Sequence, residues 1–170
     1  RCLDSCSDAW AKFYNDLIIT DKVKIIVLDF EKVDSRYWNY CKLEVQSLQD
    51  KSFIMVDVDA CLMDKCYCNT DVICEFVRPA ISNPDYNYFS IESKYVFIPA
   101  SGILGFTDIE FCKKRAIEAM NKIKERRKDY VTYDTLWVIE EADLAQRIDK
   151  ENKTLSEINI EYVHLRDRQK

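Results

Sequence analysis

Eight cysteines in 170 residues constrain this chain more than any other feature: Cys2, Cys6, Cys41, Cys61, Cys66, Cys68, Cys74 and Cys112. An even count at this density points to an oxidising compartment and a framework of bridges whose pairing a sequence cannot fix. Asn152-Lys153-Thr154 is an acceptor sequon for glycosylation at Asn152, which fits a secretory route. The expected setting is therefore the secretory lumen or the extracellular space.

Apolar residues make up 48% of the chain and charged residues 32%, a globular mixture rather than a disordered one. Apolar runs such as residues 25–28 and 53–56 fall far short of the ~20 needed to cross a bilayer, so no membrane span is expected. A net charge of -5 argues against nucleic acid, whose phosphates ask for a basic face. The basic run 122–128 instead closes a helix, where cations complement the macrodipole.

Residues 7–18 place Trp10, Phe13, Tyr14 and Leu17 at helical spacing. Residues 23–30 (VKIIVLDF) form a short β-branched run, the pattern of a strand buried on both faces. Asp34 and Ser35 offer caps for a helix with Tyr37, Cys41, Val45 and Leu48 on one stripe. Residues 52–60 read as a second strand, which completes a right-handed βαβ unit. Asn69 or Thr70 opens a short helix with Val72, Ile73, Phe76 and Val77, ended by Pro79. Residues 80–93 read as a loop. Residues 95–98 and 103–107 form a hairpin that holds both glycines, Gly102 and Gly105. Thr107 with Glu110 makes a capping box for a helix carrying Ile109, Cys112, Ala116, Ala119 and Ile123.

That order resembles the thioredoxin fold over roughly residues 8–125. Leu28-Asp29-Phe30 looks like the strand end leading to the family's active site. Tyr37-Trp38-Asn39-Tyr40-Cys41-Lys42 resembles its Trp-Cys-x-x-Cys-Lys pattern, and Val56-Asp57-Val58-Asp59 the strand that follows. The resemblance implies a three-layer α/β/α sandwich with a mixed sheet and a C-terminal β-hairpin, plus a disulfide-rich insertion and an extra C-terminal helix. On this alignment Trp38 stands where the nucleophilic cysteine belongs, and Cys41 takes the place of the resolving one. Only the first position exposes a thiol at a helix N-terminus, where the dipole favours the thiolate. The family's cis-proline should fall near Ser93-Lys94, where the chain has none. Asp29 matches the family's buried carboxylate but has no nucleophile to activate. The site therefore reads as degenerate at Trp38, Cys41 and Asp29, with no confident catalytic residue.

Cys41 is then a structural half-cystine or buried thiol, or a single-cysteine trap that holds clients as mixed disulfides. If bridged, it would pair near Cys61 at the ends of adjacent parallel strands. The cluster at 61–74 carries Cys61, Cys66, Cys68 and Cys74. It lacks paired C-x2-C knuckles and a nearby histidine, so structural bridges outrank zinc. A Cys66/Cys68 dithiol is the redox alternative. Cys2 and Cys6 would staple the first helix to the body or to each other, and Cys112 would be free or bridged. Tyr86, Tyr88 and Phe89 are candidate contact aromatics, although core burial of at least some of them is the favoured reading. His164, the lone histidine, defaults to a solvated position. No cofactor and no metal are implied.

The expected division is 1–128 for the main domain, with the cysteine-rich insertion at 61–93, and 129–170 for an extension. A helix over 135–150 aligns Val138, Ala142, Ala145 and Ile148, and residues 157–166 alternate like an edge strand. The functional expectation is a redox-inactive, secreted or lumenal domain that binds proteins as scaffold, chaperone or ligand. The rivals are a thiol–disulfide oxidoreductase or isomerase using Cys66/Cys68 or Cys41, and a small disulfide-rich effector.

Overall fold

The computed structural model describes residues 39–57, 60–79, 85–92, 97–125 and 138–164. The expected helix at 7–18, the strand at 23–30, and Cys2, Cys6, Asp29 and Trp38 lie outside these residues. In chain order the elements are α1 (Tyr40–Ser47), β1 (Phe53–Val56), β2 (Ala60–Leu62), β3 (Val72–Cys74), β4 (Val77–Pro79) and α2 (Asp85–Tyr88). There follow β5 (Phe97–Pro99), β6 (Ile103–Phe106) and α3 (Ile109–Glu125). A π-helical turn (Val138–Ala142) runs straight into α4 (Asp143–Lys150), and β7 (Leu155–Glu157) and β8 (Tyr162–His164) complete the order.

The fold is mixed α/β around a mixed four-stranded sheet of order β1-β6-β3-β7. β6 lies antiparallel to both β1 and β3, and β7 runs parallel to β3. Alternation along each strand divides the side chains between two faces. Val72, Cys74, Leu104 and Phe106 face a core closed by Phe111 and Cys112 of α3 and Leu144 and Ile148 of α4. Ile73 and Ile103 face the other way, against Ile158 and a cover that includes Cys66, Cys68, Leu62 and Tyr162. A third core lies among the helices, where Tyr40 and Leu43 of α1 meet Ala116, Ala119 and Ile123 of α3 and Val138 and Ala142. The small alanines let the helices approach closely.

Several local expectations are corrected. Val72–Val77 is not a helix but supplies β3 and β4. All three residues of β3 are buried between two neighbouring strands, where β-branched Val72 and Ile73 outweigh a weak helical spacing. The expected hairpin is also absent. β5 pairs antiparallel with β4, whereas β6 joins β1 and β3 in the main sheet. The connection is held across the two sheets, with Ala100 N donating to Phe76 O at 2.8 Å and Asp57 N to Gly102 O at 2.8 Å. Neither glycine takes a positive φ; Gly105 serves close packing instead. The stripe of α1 is shifted as well, to Tyr40, Leu43 and Gln46, and Leu48 is exposed. The cap of α3 is Asp108, whose Oδ1 accepts from Phe111 N at 3.0 Å, while Thr107 Oγ1 donates to Thr70 O.

Of the expected stripe of α3, Cys112, Ala116, Ala119 and Ile123 are buried and Ile109 is half-buried; Val138, Ala142, Ala145 and Ile148 are all buried, the first two in the π-helical turn rather than in an α-helix. The C-terminal segment supplies β7 to the main sheet and α4 to its core.

Candidate functional site

Cys41 lies in the first turn of α1, immediately after the helix starts at Tyr40. It is a free, half-buried thiol. Burial pushes its pKa up, and the nearby Glu44 carboxylate pushes the same way. The helix terminus does not turn this sulfur into a thiolate. Lys42 beside it is held by Asp57 at 2.7 Å and Glu140 at 3.2 Å.

All six described cysteines carry free thiols: Cys41, Cys61, Cys66, Cys68, Cys74 and Cys112. Cys74 and Cys112 lie in the core under α3 and α4, and burial drives each pKa up to about 12. Such thiols stay protonated and inert at neutral pH. Cys61 is exposed on β2, opposite Val163 of β8. Cys66 and Cys68 are half-buried in the segment after it, and Cys68 Sγ donates to Thr70 O at 3.1 Å. Burial, and then the charge of Cys68, raise the pKa of Cys66. Among the described residues no three histidine, cysteine or carboxylate groups are placed to hold a metal ion.

Of the contact candidates, two take the core positions that are the favoured reading. Tyr86 is 5% exposed and Phe89 2%, both within the interhelical core, so they anchor the fold rather than a partner. The side chain of Tyr88 lies outside the described residues. Exposed large apolar groups sit elsewhere, with Tyr67 at 82% and Met63 at 58% in the segment between β2 and β3. That segment is pinned at both ends. Ala60–Leu62 pair with β8, and Met63 N donates to Glu161 O at 3.0 Å. At the far end Asp71 Oδ2 accepts from Thr154 N and Oγ1, both at 2.8 Å, and Thr70 Oγ1 meets Ser156 Oγ at 2.8 Å.

Asn152 is exposed at the end of α4 with φ 51°. It takes the left-handed position that often closes a helix, while Lys153 N donates back to Ile148 O at 2.8 Å. His164 pairs through its backbone with Ala60.

Sequence reasoning missed a buried charge network centred on the π-helical turn. Arg115 and Asp143 are 0% and 2% exposed, with Arg115 Nε 3.8 Å from Asp143 Oδ2. Arg147 Nε and Lys122 Nζ each reach Asp143 at 2.9 Å. Arg115 Nη1 donates to Gln46 Oε1 at 2.9 Å, and Nη2 to the Ile139 and Glu140 carbonyls. Next door Glu141 accepts from Ser101 N and Oγ at 3.0 and 3.1 Å and pairs with Arg78. Burial alone would raise the Asp143 pKa, yet Arg115, Arg147 and Lys122 together hold it down. At Glu141 burial wins over Arg78 and the pKa is raised. The ion pairs join five cations (Lys42, Arg78, Arg115, Lys122, Arg147) to five carboxylates (Asp57, Glu118, Glu140, Glu141, Asp143). This balance lets charge sit in the interior. One signal was legible: Arg115 interrupts the apolar stripe of α3, and a charge in that position needs buried partners.

No protein-family profile, curated protein or solved structure matches the chain.

Proposed function

We propose that this protein works by binding other proteins, with no thiol redox cycle at Cys41. The observation that carries this reading is the pinned segment 63–71, which presents Tyr67 and Met63 to solvent while its ends are tied to β8 and β7. A tyrosine on a restrained segment binds with little loss of rotamer freedom, and an exposed methionine adapts to irregular apolar surfaces. The raised pKa of Cys41 supports the second half of the reading, because the thiol rather than the thiolate dominates there. The buried charge network serves to fix the helices against one another. Cysteine density and the sequon support a place in the secretory lumen or outside the cell, with Asn152 as the acceptor for glycosylation.

The finer thioredoxin-like layering belongs to this proposal only as a resemblance. The separation of β5 from β6 weighs against it, and protein binding stands without it.

Binding is measured by fluorescence anisotropy with a labelled, reduced and carboxymethylated lactalbumin as an unfolded-polypeptide probe. The Met63→Ala/Tyr67→Ala double variant is expected to bind it about tenfold more weakly than the parent, the scale of one interface hot spot. Equal affinities, or no binding by the parent, would overturn the assignment of this surface. Turnover in an insulin-reduction assay that is lost in a Cys41→Ser variant would overturn the redox half separately.

A further inference from the structure

Residues 65–69 take neither helix nor strand, yet their side chains follow a regular pattern. Cys66 and Cys68 both pack against the cluster of Ile73, Ile103 and Ile158, and Tyr67 between them is 82% exposed. That is the alternation of extended chain, in which residues two apart share a side. At a rise of about 3.3 Å per residue their α-carbons are about 6.6 Å apart. A disulfide accepts up to about 6.8 Å. The two sulfurs therefore begin on one side of the backbone, and because a disulfide holds its β-carbons about 3.5–4.5 Å apart, the loop must tighten into a turn around Tyr67 to join them.

The other described thiols are held apart from this pair. Cys74 and Cys112 belong to the core on the opposite face of the sheet, and Cys41 is fixed in α1. Cys61 stands in the β2–β8 ladder and is the one exposed rival. The hydrogen bond that ring closure gives up, from Cys68 Sγ to Thr70 O, is a weak one.

We propose that Cys66 and Cys68 form a thiol–disulfide exchange site that closes a disulfide within the loop, with a low-molecular-weight disulfide such as oxidised glutathione as co-reactant. One thiolate of the pair attacks a glutathione sulfur, forming a mixed disulfide and releasing the first glutathione thiolate. The second cysteine loses its proton and attacks the protein sulfur of that bond, releasing the other glutathione. The protein pair is oxidised by two electrons, the glutathione disulfide is reduced by two, and the protons pass to the departing thiolates. The ring locks the backbone on both sides of Tyr67 and keeps that ring turned outward. This bond is independent of the protein-binding reading, although it stiffens the same segment.

The test uses the whole chain, equilibrated in reduced or oxidised glutathione buffer, then alkylated under denaturing conditions, digested with trypsin and sequenced by mass spectrometry. The peptide starting at Cys66 contains Cys68 and Cys74. In the oxidised sample it is expected to lack both alkyl groups at these positions and to be two hydrogens lighter than the free dithiol form, with Cys74 still alkylated and no backbone fragment between Cys66 and Cys68. A Cys61→Ser variant, changed at an exposed position, is expected to give the same ring. Retained alkylation of both cysteines, a bond from either to Cys61 or Cys74, or loss of the ring in Cys61→Ser would each overturn the proposal. None of these readings depends on whether a partner binds.

Discussion

At Gly105, in the middle of β6, an added methyl would meet Ile73 Cγ2 at 2.5 Å and Phe53 O at 3.1 Å. The nearer atom belongs to a β-branched side chain in a packed cluster, so it has little room to turn away. Gly105→Ala is expected to lower stability by about 1–3 kcal/mol, the usual cost of overpacking, read as a reduced urea midpoint at unchanged slope. Arg115 makes the opposite kind of demand, since its guanidinium is desolvated and needs every partner it has. Arg115→Met would leave Asp143 beside only Arg147 and Lys122 and strip Gln46 of its donor. Breaking a buried pair of this kind costs about 3–5 kcal/mol, and the same urea titration checks it. Thiol reactivity is a third readout at this scale. Iodoacetamide at neutral pH should leave Cys74 and Cys112 unmodified in the native protein, because both stay protonated up to about 12. Labelling of either at the rate seen for exposed Cys61 would contradict the burial described.

The elements separate what periodicity reveals from what it hides. α3 and α4 were legible because each repeats small or apolar residues every three or four positions over many residues. β3 and β4 were not, because three-residue strands carry too few positions to distinguish period two from period 3.6. Their strand character comes from the neighbours β6, β7 and β5, which lie far away in sequence. The cap of α3 was misread by one residue, since Asp108 and Thr107 are both good caps and only tertiary context assigns them. Thr107 is drawn off to Thr70 O, and Asp108 accepts from Phe111 N and Lys153 Nζ. Those bonds, that of Lys153 first, hold the Asp108 pKa below its ordinary value. A depressed carboxylate gives stability that is present above its unfolded pKa of about 3.9 and lost as pH falls below it. Asp108→Ala is expected to cost about 1 kcal/mol near neutral pH. It should also flatten the acid limb of the stability curve, checked by thermal melts between pH 2 and 6.

For the whole molecule, the mixed α/β class was legible and the sheet order was not. Hydrophobic runs announce strands but not their partners, and short separation made a hairpin of residues 95–107 the simplest pairing. The chain instead moves from one sheet to another through Ala100-Ser101-Gly102, with Ser101 held by Glu141 across 40 residues of sequence. The sequence leaves Tyr86 and Phe89 open between contact and core for a related reason: they look alike whether a helix covers them or not, and α3 with the π-helical turn does cover them. The cysteine-rich segment, expected as a disulfide-held insertion, lies against the sheet through Cys66 and Cys68. The parallel contact between β3 and β7 joins Val72 to Leu155, and Asp71 to Thr154 across 83 residues of chain. A nascent polypeptide cannot give its central strand a second neighbour until the ribosome has released that distant edge. Until then one flank of β3 stays open to whatever else the cell offers, and the sheet cannot close on its first three strands alone.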